Sequence, residues 1–304
     1  MKFLIAVPDN SYYLWQVLVQ INNFRRMGIE EDTIYVFGIF NGQPSELLLR
    51  FLNSTNIKAK MYVINDTRPY KGYTSSLRPH IISKFYSIYD FKERVIFYLD
   101  PDVVFTKKMD FSKFEQGDTW YVSDTISYIG SEYIISKSEE LFTKMCDIVG
   151  VDPVTITSHD KDAGGAQYIM KNVNVHFWNK VYLDCEKLFE LMNGTQTIYH
   201  PEHPIQAWCA DMWSVLWNGW HFGNKIEIHK ELEFGWASDQ KNRWNETNIF
   251  HNAGVTTNDG KHFAKTAYQV SPFNKETLGE EESCSYGYIQ EIRDTEKNFP
   301  ELLF

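Results

Sequence analysis

Short apolar runs punctuate the first hundred positions: Phe3–Val7, Thr33–Phe37, Ala59–Ile64 and Val95–Leu99. Each has the length and the β-branched or aromatic content of a buried strand. The segments between them follow another period. Leu14, Val17, Leu18 and Ile21 recur at helical spacing, as do Leu47, Leu48 and Phe51, and then Ile81, Phe85 and Ile88. Strands alternating with helices predict βαβ units, hence an α/β fold with a mostly parallel central sheet flanked by helices in a single large domain. The later chain reads differently, with six of the nine tryptophans between Trp208 and Trp244. "WCADMWSVLWNGW" predicts a helix whose Trp213, Trp217 and Trp220 form a core stripe. "HDKDAGGAQYIMKN" predicts a Gly-Gly turn and then a helix from Ala166. The polar end of the chain predicts a surface tail or a terminal helix over 276–304.

Composition narrows the function classes. With 304 residues, 43% of them apolar, the chain can bury a sizeable core. Its net charge of −10 disfavours nonspecific attraction to nucleic acid or anionic lipid. A local basic strip from "NNFRRMG" and the lysines near position 107 stays open. No G-x-G-x-x-G follows the first strand and no G-x-x-x-x-G-K-[ST] occurs, so a dinucleotide fingerprint and a Walker loop are not supported. Four cysteines without a C-x-x-C pair point to free thiols in a reducing compartment. The N-terminal apolar run is too short for a secretory signal, and no stretch approaches the ~18 apolar residues of a membrane span. A cytoplasmic protein, in a host cytoplasm if viral, is the expectation.

Candidate chemistry begins at "FYLDPDVVF", where Asp100 and Asp102 follow the fourth predicted strand. Ligands of open α/β sheets bind outside the carboxyl ends of strands. In an extended chain, side chains two apart point to the same side, so the two carboxylates converge. Pro101 has no N–H to donate and ends the ladder there. Two hard oxygen ligands with open positions suit Mg²⁺ or Mn²⁺ shared with substrate phosphates. A plain Asp-Pro-Asp turn is an equal alternative on these residues alone. "VIFYLDPDVVF" also matches the start of a haloacid-dehalogenase-type phosphatase, with Asp100 as nucleophile, although such a motif normally opens its domain.

Three later stretches add groups. Gly164 and Gly165 let backbone approach a ligand, or simply make a turn. Asp211 falls on a different face of its helix from Trp213, shared with Trp208 and Val215, and a solvated carboxylate is the simpler reading. His251, in "NIFHNAGV", becomes a further metal ligand if Asp102 already holds the ion. The tryptophan-rich segment also admits a noncatalytic carbohydrate-binding protein.

In order, "YLWQVLVQINNFRRMG", "YLDPDVVF", "GGAQYIMKN", "ADMWSVLWN" and "FHNAG" resemble the GT-A class of nucleotide-sugar glycosyltransferases. Within it they look most like the hydroxyproline O-arabinosyltransferase and peptidyl serine O-galactosyltransferase group. The resemblance runs from about Tyr13 to Gly254. It implies a GT-A-type, Rossmann-like fold, with a nucleotide-binding half over 1–110, a donor-sugar and acceptor half over 111–275, and a tail over 276–304. It implies transfer of a pentose or hexose from a UDP-sugar to a hydroxyl of a glycan, a protein or a modified DNA base, with Mn²⁺ or Mg²⁺ and retention of configuration. Asp102 and His251 would bind the metal, and Asp100 the metal or the ribose. Asp162, Gly164, Gly165 and Gln167 would lie along the donor sugar, with Asp211 at the reacting carbon. Pro8, Asp9 and Gln16 would face the base, and Arg78 and Lys84 the diphosphate.

Overall fold

A computed structural model describes all 304 residues. Ten strands occur: β1 (Lys2–Pro8), β2 (Thr33–Ile39), β3 (Lys60–Asn65), β4 (Val95–Leu99), β5 (Val103–Phe105), β6 (Trp120–Asp124), β7 (Gly164–Lys171), β8 (Ile226–Ile228), β9 (Phe234–Trp236) and β10 (Ile249–His251). The longer helices are α1 (Ser11–Met27), α2 (Glu46–Leu52), α3 (Leu77–Tyr89), α4 (Glu139–Val149), α5 (Val175–Gly194), α6 (Ala210–His221) and α7 (Ser285–Asn298). The protein is of the expected α/β class, with mostly parallel strands and flanking helices. The four predicted strands and the helices between them are present within a residue or two of their expected places.

Contacts group the chain into two compact units that are discontinuous in sequence. The first comprises 2–65, 99–113 and 231–304, and the second is essentially 66–98 with 114–230. In the first unit, β1 and β2 run parallel, Ile5 opposite Tyr35, and β2 runs parallel to β3. All seven residues of β2 are buried, as expected for a strand covered on both faces. Asn10 caps α1 by accepting from the Tyr13 N–H, and Gly28 ends it in the left-handed conformation at φ 81°. A separate three-stranded sheet has the order β5-β10-β9. There β10 runs antiparallel to β5, with His251 opposite Val103, and parallel to β9. The C-terminal segment carries a helix, α7, which buries Tyr288, Ile289 and Ile292.

The second unit holds β4-β7-β6-β8, with β7 antiparallel to both β4 and β6. The helix expected from Ala166 is therefore a strand. Ala166 has φ 62°, outside the helical range, and the β6–β7 register shifts at Val122/Ser123. Every residue of β7 is buried. That continuous burial overrides the turn-like look of Gly-Gly. A Cβ on Gly164 would strike the Val122 side chain and the Ser123 carbonyl, so this glycine serves close packing between strands. The helix α6 forms as expected, with Trp213, Trp217 and Trp220 buried.

Candidate functional site

In the first unit the Asp-Pro-Asp segment is a turn rather than the expected extended chain. The Val103 N–H donates to the Asp100 carbonyl at 3.3 Å, with Pro101 at the second position that suits its fixed φ. The carboxylates converge nonetheless, because β10 brings His251 against the turn. Its Nε2 lies 3.4 Å from Asp102 Oδ1 and 3.6 Å from Asp100 Oδ2. One ligand atom from each of the three residues fits within 4.8 Å. The His251 ring lies parallel to the Trp236 indole, at 6.3 Å between centroids.

The turn is held from below by α1. Gln20 donates to the carbonyls of Asp100 and Val103, both at 2.8 Å, and accepts from the Tyr35 hydroxyl. Asn23 exchanges two hydrogen bonds with the backbone of Phe105. Sequence reasoning missed these two positioning residues, yet a signal existed. Gln16, Gln20 and Asn23 recur at i, i+4 and i+7 within an otherwise apolar helix face.

Asp102 is 2% exposed, and the Lys265 ammonium contacts its carboxylate. Burial alone would raise the Asp102 carboxyl, but Lys265 and His251 outweigh it and hold the group well below the ordinary carboxylate range. Burial likewise opposes the charge on Lys265, and Asp102 raises it above the usual lysine value. Lys265 was also missed, since it stands in an irregular stretch with no periodicity.

Asn252 directly follows His251 and donates its backbone N–H to the Asp102 carbonyl at 3.0 Å. Its side chain is 2% exposed, and neither amide atom has a partner. A buried polar group left unpaired costs about 1–3 kcal/mol. Two carboxylates and an imidazole converge here, with one ammonium on Asp102. This donor set, with hard oxygens and one nitrogen, fits Mn²⁺ or Mg²⁺.

The remaining base-side candidates of this unit are engaged locally. Pro8 ends β1 opposite Gly38. Asp9 accepts from the Ser45 N–H at 2.7 Å and hydroxyl at 2.6 Å, fixing the start of α2. Gln16 donates to the Tyr12 carbonyl at 2.7 Å.

The second unit brings Arg78 to Asp211. The carboxylate pairs with the guanidinium, and Asp211 is 6% exposed rather than solvated on an outer face. The Tyr73 hydroxyl donates to Asp211 Oδ1 at 2.8 Å and accepts from its backbone N–H at 3.0 Å. Trp208, expected on the same face, is 59% exposed. Lys84 lies about 240° around α3 from Arg78, so the two cations leave the helix in different directions. Gln167 is fully buried and accepts from the Ser123 hydroxyl at 2.6 Å. Gly165 packs against Tyr168 and Met212. Asp162 instead lines a polar cleft of about 440 Å³ with His159, Lys161, Lys225 and Glu227.

No helix is long and apolar enough to cross a membrane, and all four cysteines are buried free thiols. No family model and no curated protein matches the sequence. Among solved structures, the chain is similar to the galactosyltransferase LgtC in complex with donor and acceptor sugar analogues, at 12% identity over the whole of both chains and a TM-score of 0.47. It is also similar to the glycosyltransferase GlyE of Streptococcus pneumoniae TIGR4, at 11% identity over 99% of this chain and 64% of that one, with a TM-score of 0.47. A third similarity, to the bifunctional glycosyltransferase WbbM, is at 9% identity over 84% of this chain and 46% of the other, with a TM-score of 0.43.

Proposed function

We propose that this protein is a metal-dependent glycosyltransferase of the GT-A class, moving a sugar from a UDP-sugar to a hydroxyl acceptor with retention. The observation that carries the reading is the convergence of Asp100, Asp102 and His251 within 4.8 Å at a turn after a strand. When bound, a divalent ion would act as a Lewis acid for the negative charge that develops on the departing diphosphate.

The chain's own groups set the stage for that step. Asp102 and His251 would hold the ion, with Asp100 as a third ligand or a ribose partner. Gln20 and Asn23 keep the turn rigid, so the ligands need little reorganisation. Lys265 supplies a cation beside Asp102, where an anionic diphosphate would also be attracted.

A glycan or protein hydroxyl suits the surface better than DNA. Both arginines of the candidate basic strip are committed, Arg25 to Glu30 and Arg26 to Glu291. A phosphatase gains no support, because Asp100 sits in a cluster with a second carboxylate and an imidazole rather than free as a nucleophile.

The test is turnover. With Mn²⁺, the purified protein should release UDP from a UDP-sugar, EDTA should abolish the reaction, and Asp102→Ala should lower it by at least a hundredfold. Full metal-dependent turnover in Asp102→Ala would sink the site assignment. Hydrolysis of a generic phosphate ester without any use of UDP-sugar would sink the reaction class.

A further inference from the structure

We infer that Asn252 is a donor-binding residue whose side chain takes hydroxyl groups of a sugar, either the ribose of the nucleotide or the sugar to be transferred. The inference rests on the transfer reaction proposed above and names the part of the donor that one more residue holds.

Asn252 is 2% exposed, yet both Oδ1 and Nδ2 lack a partner. The other buried polar groups without one, such as Tyr86 Oη and Trp178 Nε1, are single atoms. Asn252 differs in leaving a donor and an acceptor unpaired together, where buried amides are normally paired. Its backbone is committed. The N–H donates to the Asp102 carbonyl at 3.0 Å, and the Ala253 N–H donates to the His251 carbonyl at 2.7 Å, closing a three-residue turn around Asn252. The backbone of Asn252 is thus held next to one candidate metal ligand, His251, and hydrogen-bonded to another, Asp102.

The chemistry of a carboxamide selects what can satisfy it. Phosphate and carboxylate oxygens only accept, so they would serve Nδ2 and leave Oδ1 unpaired. An ammonium or a metal ion would serve Oδ1 and leave Nδ2 unpaired. Hydroxyl groups donate and accept, and a vicinal pair can meet both ends of one amide. Of the parts of a nucleotide sugar, the ribose and the transferred sugar carry such pairs and the diphosphate does not; the imide edge of uracil also offers a donor beside an acceptor, and the experiment separates it from the sugars.

The experiment titrates the full-length, Mn²⁺-loaded protein with UDP, with 2′-deoxy-UDP and with UDP-glucose, in wild type, Asn252→Leu and Asn252→Ser. Leucine matches the size of asparagine without its polar atoms, and serine restores one group that donates and accepts. Mn²⁺ affinity and melting temperature should be preserved in Asn252→Leu, while its UDP-glucose affinity falls at least tenfold. Asn252→Ser should retain part of it. Equal losses for UDP and UDP-glucose with none for 2′-deoxy-UDP assign the ribose, a loss confined to UDP-glucose assigns the transferred sugar, and an equal loss for 2′-deoxy-UDP assigns the base and overturns the inference. Undiminished UDP-glucose affinity in Asn252→Leu overturns the inference and leaves the transfer reading standing. Loss of Mn²⁺ binding in that variant also overturns it, since the residue would then act only through the metal ligands. A wild-type protein that binds neither UDP nor UDP-glucose overturns both.

Discussion

Two buried carboxylates, one in each unit, are each paired with a cation, yet their surroundings differ. Asp211 has one charge, one guanidinium and two hydrogen bonds to the Tyr73 hydroxyl. That site is balanced as it stands. Asp102 is paired with Lys265, and the His251 imidazole faces both Asp102 and a second carboxylate, Asp100. Two carboxylates converge on one imidazole, and the side-chain amide of Asn252, the residue after it, goes unpaired. A balanced buried pair is explained by the fold. Two convergent carboxylates and an imidazole next to an unpaired amide ask for a ligand, and a divalent cation suits that oxygen-rich donor set.

Removing the cation from each site is the sharpest way to break this comparison. Arg78→Met should leave the Asp211 charge buried without a partner and destabilise the protein by about 3–5 kcal/mol in urea unfolding. A loss below about 1 kcal/mol would show that water reaches Asp211 and that the site is not balanced by Arg78. Lys265→Met should behave differently. It destabilises the metal-free protein, but Mn²⁺ should restore most of the lost stability, since binding to the native state alone raises it. UDP affinity in the Mn²⁺-loaded variant should fall about tenfold, or about 1.4 kcal/mol. If Mn²⁺ does not rescue Lys265→Met, the two sites are alike and the contrast fails.

The difference between the regions also marks what could be read in advance. The strands and helices of the first hundred residues were legible because burial imposes a period, two along strands and 3.6 along helices. Asp100, Asp102 and His251 were legible as residue types that bind metal, placed beside apolar runs. The turn at Pro101 was not, because an extended strand end and a β-turn look alike in three residues. Ala166 misled because two glycines outweighed the apolar Tyr168, Ile169 and Met170 behind them. Lys265 and Asn252 were hidden for another reason. Lys265 meets Asp102 across 163 positions of chain, and a contact between distant segments leaves no local pattern. Gln20 and Asn23 fall between these cases, since polar side chains at helical spacing on a buried face announce that they hold something. The pairing of Asp211 with Arg78 was equally invisible, and without it a carboxylate on a tryptophan-rich helix looks solvated.

The most direct measurement is a Mn²⁺ titration of the purified protein, following free Mn²⁺ by its electron paramagnetic resonance signal. The account predicts one saturable site in the wild type. Asp102→Ala should abolish it, and His251→Ala should weaken it by about tenfold, or about 1.4 kcal/mol. A wild-type protein that takes up no Mn²⁺, or a site that survives intact in Asp102→Ala, would contradict the account.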